Sequence, residues 1–195
     1  RVMTSMKYFN THHSACTIFG CTVLLGLLPL SATAYRGEVA GWLPWWQDRP
    51  GIEEVTEHIR DIDVLYPFVY EIEAGEIVDK ANLDEEAWQE LFRLAERRRV
   101  EIIPTIAWFD GEAIHETLSD HRQRRALVRS IEDLVDDHDF DGINIDFEQK
   151  KAETIDYFSD FLRELNRALG RDTLTCAIEA RMLPEDRFRV MPDEI

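Results

Sequence analysis

Cysteine is nearly absent from this 195-residue chain: there are three, and two of them, Cys16 and Cys21, lie in an N-terminal segment unlike the rest. Cys176 stands alone in the remainder, so no internal disulfide is expected and the fold must rest on its core. A hydrophobic content of 45% is enough to build one. Lysine is also scarce, at 4 of the 22 basic residues, and the basic residues together face 39 acidic ones for a net charge of −17. That balance excludes partners selected by a phosphate backbone, such as nucleic acids, which are held by Lys and Arg. No G-x-G-x-x-G turn follows the first strand-like run, which argues against a dinucleotide-binding sheet. The six histidines form no H-E-x-x-H or Cys/His cluster, so neither a metal site nor a cofactor is expected.

No apolar run reaches the ~20 residues that a membrane-spanning helix needs. The run Thr17–Leu30 is shorter, follows Lys7, and ends in Ser31-Ala32-Thr33-Ala34. Basic start, short apolar stretch and an A-x-A end describe a secretory signal peptide over residues 1–34, cleaved after Ala34. The expected product is a protein secreted or held in the periplasm or cell envelope, with no membrane attachment after cleavage. Its oligomeric state is not legible.

From Glu38 onward, β-type runs alternate with helical periodicity. Strands are expected at Val39–Leu43, Val64–Tyr70, Glu101–Trp108, Phe140–Phe147 and Thr173–Ile178. Helices are expected at Ile52–Ile62, around Ala87, Leu91, Leu94 and Ala95, around Leu127, Ile131, Leu134 and Val135, and over Ile155, Phe158, Leu162, Leu165 and Leu169. Alternation of this kind means parallel strands joined by crossover helices, an α/β architecture, and with bulky aromatics at the strand ends a (β/α)8 barrel fits best. Pro104 predicts an irregular third strand, because proline donates nothing to the ladder. A complete barrel takes ~250 residues, so residues 35–195 are read as its N-terminal part, strands one to five.

The stretch Asp137-His138-Asp139-Phe140-Asp141-Gly142-Ile143-Asn144-Ile145-Asp146-Phe147-Glu148 has two frames. In one it matches the calcium-loop pattern D-x-[DN]-x-[DN]-G-x5-E. The residues that follow, Gln149-Lys150-Lys151-Ala152, give an EF-hand helix nothing to bury, and no second loop exists. In the other frame Ile143, Ile145 and Phe147 alternate with Asn144, Asp146 and Glu148, the period of a strand with two different faces. The polar set would then point into the barrel, where unpaired polar groups are costly. Glu148 would stand last, at the mouth.

In that second frame, Asp141-Gly142-Ile143-Asn144-Ile145-Asp146-Phe147-Glu148 resembles the D-G-x-D-x-D-x-E signature on the fourth strand of glycoside hydrolase family 18, the chitinase-like barrels. With Pro104-Thr105-Ile106 and Asn144, it looks closest to the branch containing spore-germination and cortex-lytic N-acetylglucosaminidases. The resemblance implies a glycosidase acting on β-1,4-linked N-acetylglucosamine glycan, chitin or peptidoglycan. It implies Glu148 as general acid and base, helped to hold its proton by the like charge of Asp146. Asp146 would orient the substrate's acetamide, whose oxygen replaces a protein nucleophile. Asp141 and Gly142 would be structural, and Asn144, grouped with the catalytic residues, departs from the family's Asp. The S-x-G-G of chitinases is missing, with Thr105-Ile106-Ala107-Trp108 in its place.

Trp45, Trp46, Tyr70 and Trp108, at strand ends, are candidate sugar platforms, and Glu179 and Arg181 candidate ligand contacts after strand five. Trp42 and Trp88 are read as packing residues. The rival reading from another class is a glycan-binding barrel without turnover.

Overall fold

A computed structural model describes residues 37–178. The segment expected to be a signal peptide, Glu179 and Arg181 lie outside the described residues. Within them the chain runs β1 (Ala40–Pro44), α1 (Asp48–His58), β2 (Val64–Glu73), β3 (Glu76–Asp79), α2 (Glu86–Arg98), β4 (Glu101–Ile102), β5 (Thr105–Trp108), α3 (Gly111–Ser119), α4 (His121–Asp137), β6 (Gly142–Phe147), α5 (Ile155–Leu169) and β7 (Thr173–Cys176). The sheet path is β1-β2-β5-β6-β7, every pairing on it parallel. The five expected parallel strands are therefore present in order, with a helix in each crossover, as in part of a (β/α) barrel.

Apolar residues explain the helix layer. In α5, Phe161, Leu165 and Leu169 fall four residues apart and are buried, so they line one face of a 3.6-residue helix. Ile155, expected on that stripe, is instead exposed at the helix start. In α4, Leu127, Val128, Ile131 and Val135 are buried with Arg124. The Arg124 guanidinium donates to the Leu118 carbonyl and to Glu164 on α5 at 2.7 and 3.0 Å, so its buried charge is paired. Trp88 is buried in α2 with Leu91 and Ala95.

The expected third strand is two strands. Ile103-Pro104 separates β4 from β5, and just beyond this break, opposite Thr105 and Ile106, β2 shifts register between Phe68 and Tyr70. Proline lacks the donor that would keep the ladder continuous, while the Pro104 carbonyl still accepts from Asn144 N–H at 2.8 Å.

Two elements were not foreseen. The hairpin β2–β3 is antiparallel and turns at Ala74-Gly75, both at positive φ, the geometry of a two-residue type I′ loop. Helix α3 is capped by Asp110, whose carboxylate accepts from the N–H groups of Glu112 and Ala113.

Candidate active site

The site is built on β6, the fourth of the parallel strands, and its entry is fixed by the Asp141-Gly142 pair. The Asp141 carboxylate accepts from Ile102 N–H at 2.8 Å, its own N–H donates to the Ile102 carbonyl at 3.0 Å, and its carbonyl accepts from Thr173 N–H at 2.9 Å. One residue thus joins three strands. At Gly142 a Cβ would collide with the Thr173 backbone, so only glycine lets β6 lie this close to β7.

Beyond that entry the two faces diverge. Ile143, Ile145 and Phe147 point to the helices, all at 1% exposure or less, and the Phe147 ring stacks on Phe161 with centroids 5.5 Å apart. Asn144 and Asp146 occupy the inner face at 3% and 8% exposure. Asn144 Nδ2 donates to Thr105 Oγ1 at 3.0 Å, and Thr175 Oγ1 donates to Asn144 Oδ1 at 2.9 Å. This lateral ladder across β5, β6 and β7 satisfies the buried amide and forms a floor below Asp146. A neutral amide suits the position because it donates to one neighbour and accepts from the other.

Ala107 is the register partner of Asp146 on β5. Ala107 is fully buried there. Glu148 follows the last residue of β6, is half-buried, and its N–H continues the ladder to the Trp108 carbonyl at 2.9 Å. Residues Asp146 and Glu148 are two apart on one strand edge, so both lie on the inner side of its C-terminal end. A cleft of about 860 Å³ opens next to this end, lined by Glu71, Glu73, Trp108, Asp110, Glu112 and Gln149 among others; Asp146 and Glu148 are not in its lining, and Glu148 adjoins it through its neighbour Gln149.

The strand also disposes of the calcium frame. Asp137 is the last residue of α4, Asp139 sits in a turn at φ 52°, and the final positions alternate across a sheet. They do not wrap a common centre. Among the described residues no group of three or more His, Cys, Asp or Glu could hold a metal ion.

Two expected sugar platforms are largely buried. Trp108 is in register with Phe147 and shares its outward face, is 3% exposed, and packs edge-on against the Phe147 ring at 5.3 Å. Tyr70, in register with Ile106, lies in the same helix-side core. Burial, reinforced by Asp79 and Asp84, pushes its phenol well above the usual range. Both residues stand toward a strand end as expected, and Trp108 also lines the cleft. Trp45 is half-buried, its ring covered by the Lys80 ammonium 5.8 Å from the centroid.

Trp46 is 57% exposed beyond the end of β1 and meets Phe68 edge-on at 5.6 Å. Phe68 is in register with Thr105 and so faces inward, with Trp42 beside it at 6.3 Å and 58% exposed. Trp42 and Phe68 therefore join Trp46 on the inner side, where the sequence reading had placed Trp42 in packing. The signal available was the alternation Tyr66, Phe68 on β2.

Cys176 is half-buried on β7, and burial pushes its thiol up, against the attraction of Lys150.

Comparison with known proteins places this geometry. The model for "Glycosyl hydrolases family 18" matches residues 54–187. YdhD of Bacillus subtilis (strain 168), provisionally named a sporulation-specific glycosylase, is 33% identical over 145 residues, which are 69% of this chain and 32% of YdhD. Among solved structures, a class V chitinase from Pseudomonas fluorescens Pf-5 superposes with a TM-score of 0.68 at 21% identity, covering 77% of this chain and 48% of the chitinase. The spore cortex-lytic enzyme SleL of Bacillus megaterium QM B1551 gives 0.61 at 18%, covering 73% and 34%. A mutant chitinase from Cycas revoluta in complex with (GlcNAc)4 gives 0.60 at 18%, covering 73% and 46%. The chain spans about a third of YdhD and a third to a half of these solved structures. The chain belongs to glycosyl hydrolase family 18.

Proposed function

We propose that this chain carries the catalytic strand of a glycosidase that cleaves β-1,4-linked N-acetylglucosamine glycan, with retention, using the substrate's own acetamide. The observation that carries this reading is the pair on β6: Asp146, buried and backed by the Asn144 floor, with Glu148 two residues on at the strand's exit. A glycosidic oxygen leaves readily only when protonated, and Glu148, half-buried beside the cleft, is the donor and later the base. Asp146 turns the acetamide oxygen toward the anomeric carbon and stabilises the cationic ring that forms. No second carboxylate nucleophile is needed in this type of mechanism.

Trp46 and Trp42, packed on the buried Phe68, offer exposed aromatic surface to the sugar rings. Glu179 and Arg181 are retained as proposed contacts after the fifth parallel strand. The binding of (GlcNAc)4 by the Cycas revoluta chitinase and the names of YdhD and SleL support an N-acetylated glycan as substrate. The N-terminal segment supports export to the envelope or the medium.

The test is the first-formed product of the full-length protein on N-acetylglucosamine oligomers, followed by proton NMR. Retained β-anomer is expected, and oligomers stripped of their acetyl groups should not be cut. First-formed α-anomer, or equal cleavage of the deacetylated oligomer, would contradict substrate assistance.

A further inference from the structure

The segment Gln149–Thr154, which begins immediately after Glu148, is fastened to one helix at three points. At the first, Gly111 opens α3 so close to Gln149 that a Cβ there would overlap the Gln149 carbonyl oxygen. At the second, Glu112 forms an ion pair with Lys151. At the third, His115 Nδ1 meets the hydroxyl of fully buried Thr154 at 2.9 Å, and the His115 ring packs against Tyr157 with centroids 5.9 Å apart. Residues 111, 112 and 115 span just over one turn of α3, so the three contacts share one side of the helix.

The helix itself is well seated. Asp110 caps its first turn, and Ile114 and Leu118 are fully buried beneath it. Across the segment, Gln149 adopts φ 57°, and Lys150 turns back to donate to the Phe147 carbonyl with its ammonium 5.0 Å from the Phe158 ring centre. A non-glycine residue holds a left-handed conformation only where its surroundings fix it. Glu148 lies between this fixed residue and the last position of β6.

We propose that α3 is the positioning element for Glu148: through Gly111, Glu112 and His115 it holds the strand exit so that the carboxyl group meets the glycosidic oxygen. Gly111 is glycine for space, not for backbone conformation. The inference rests on the reading of Glu148 as proton donor, and none of these three residues touches the reacting atoms.

The test uses Gly111→Ala and Thr154→Val in the full-length protein, with Thr154→Ser as the conservative variant. A misplacement of about 1 Å at a catalytic group costs on the order of 10²-fold in rate. Gly111→Ala is therefore expected to lose about that factor in kcat, with KM changed less than about threefold. Thr154→Val should show a smaller loss of the same kind, which Thr154→Ser restores. Amide hydrogen exchange supplies a readout that needs no turnover: amides of Gln149–Thr154 should exchange faster in both variants, while those of β6 stay protected. If Gly111→Ala fails to fold, the Thr154 pair decides the matter alone. Unchanged kcat with unchanged exchange, or a rise in KM alone, would overturn the positioning role. A wild-type protein without hydrolytic activity would instead refute the glycosidase reading, and the exchange experiment would still decide whether α3 fastens the segment.

Discussion

The two faces of β6 differ in what they ask of the chain. On the helix side, Ile143, Ile145 and Phe147 contribute apolar area and interlocking shape, and Trp108 of β5 and Phe161 of α5 complete the packing. On the inner side, Asn144 is held by two hydroxyls and Asp146 and Glu148 follow in turn toward the cleft. One face makes the strand stay where it is, and the other uses that fixed place. A period of two lets six residues serve both ends without conflict.

Substitutions on the two faces should therefore separate stability from turnover. Phe147→Ala is expected to cost about 3–5 kcal/mol of stability, because it removes a fully buried ring at the junction with α5, measured by denaturant unfolding. Asp146→Asn should leave the unfolding midpoint close to wild type yet lower kcat by roughly 10²–10³-fold, the scale of losing one charge-stabilising group. If Asp146→Asn unfolded the protein and Phe147→Ala only slowed it, the division of the faces would be wrong. Asn144→Ala lies between them. It leaves Thr105 and Thr175 without their shared partner and should cost about 1–3 kcal/mol, with kcat falling less than in Asp146→Asn.

The tryptophans make the smallest and most discriminating comparison. Trp108→Ala should destabilise by about 3–5 kcal/mol. Trp46→Ala should change stability by about 0.5 kcal/mol or less and show its effect in glycan affinity, a rise in KM of up to about tenfold, equivalent to ~1.4 kcal/mol. Equal destabilisation by both would remove the exposed aromatic surface from the account.

How much of this was legible in the sequence differs by kind of signal. Strand order and the parallel class followed from alternating periodicities, and the Asp141–Glu148 strand stood out because its polar residues recur every second position. The break at Pro104 was foreseeable because a missing donor is a property of one residue. The partner irregularity in β2 was not, since it arises opposite Thr105 and Ile106, in a strand far away along the chain. The burial of Tyr70 and Trp108 was hidden for a related reason: proximity to a strand end is local, but the face depends on register with neighbours, and the shift between Phe68 and Tyr70 reverses a simple alternation. Helix α3 carried an available signal in Asp110 and the spacing of Ile114 and Leu118. The small hairpin was hidden because Ala74, not the usual Asn or Asp, precedes Gly75 at a position of positive φ. Gly111 could not have been read at all, because its requirement comes from Gln149 across the fold.

The central claim is that Glu148 supplies the proton at the exit of a strand otherwise devoted to holding it in place. The most direct measurement is release of reducing ends from N-acetylglucosamine oligomers by the full-length protein and by Glu148→Gln, with oligomer binding followed by calorimetry in both. The account predicts hydrolysis by the wild type, a loss of about 10²–10⁴-fold or more in the variant, and binding that persists. Hydrolysis by Glu148→Gln at a wild-type rate would contradict it.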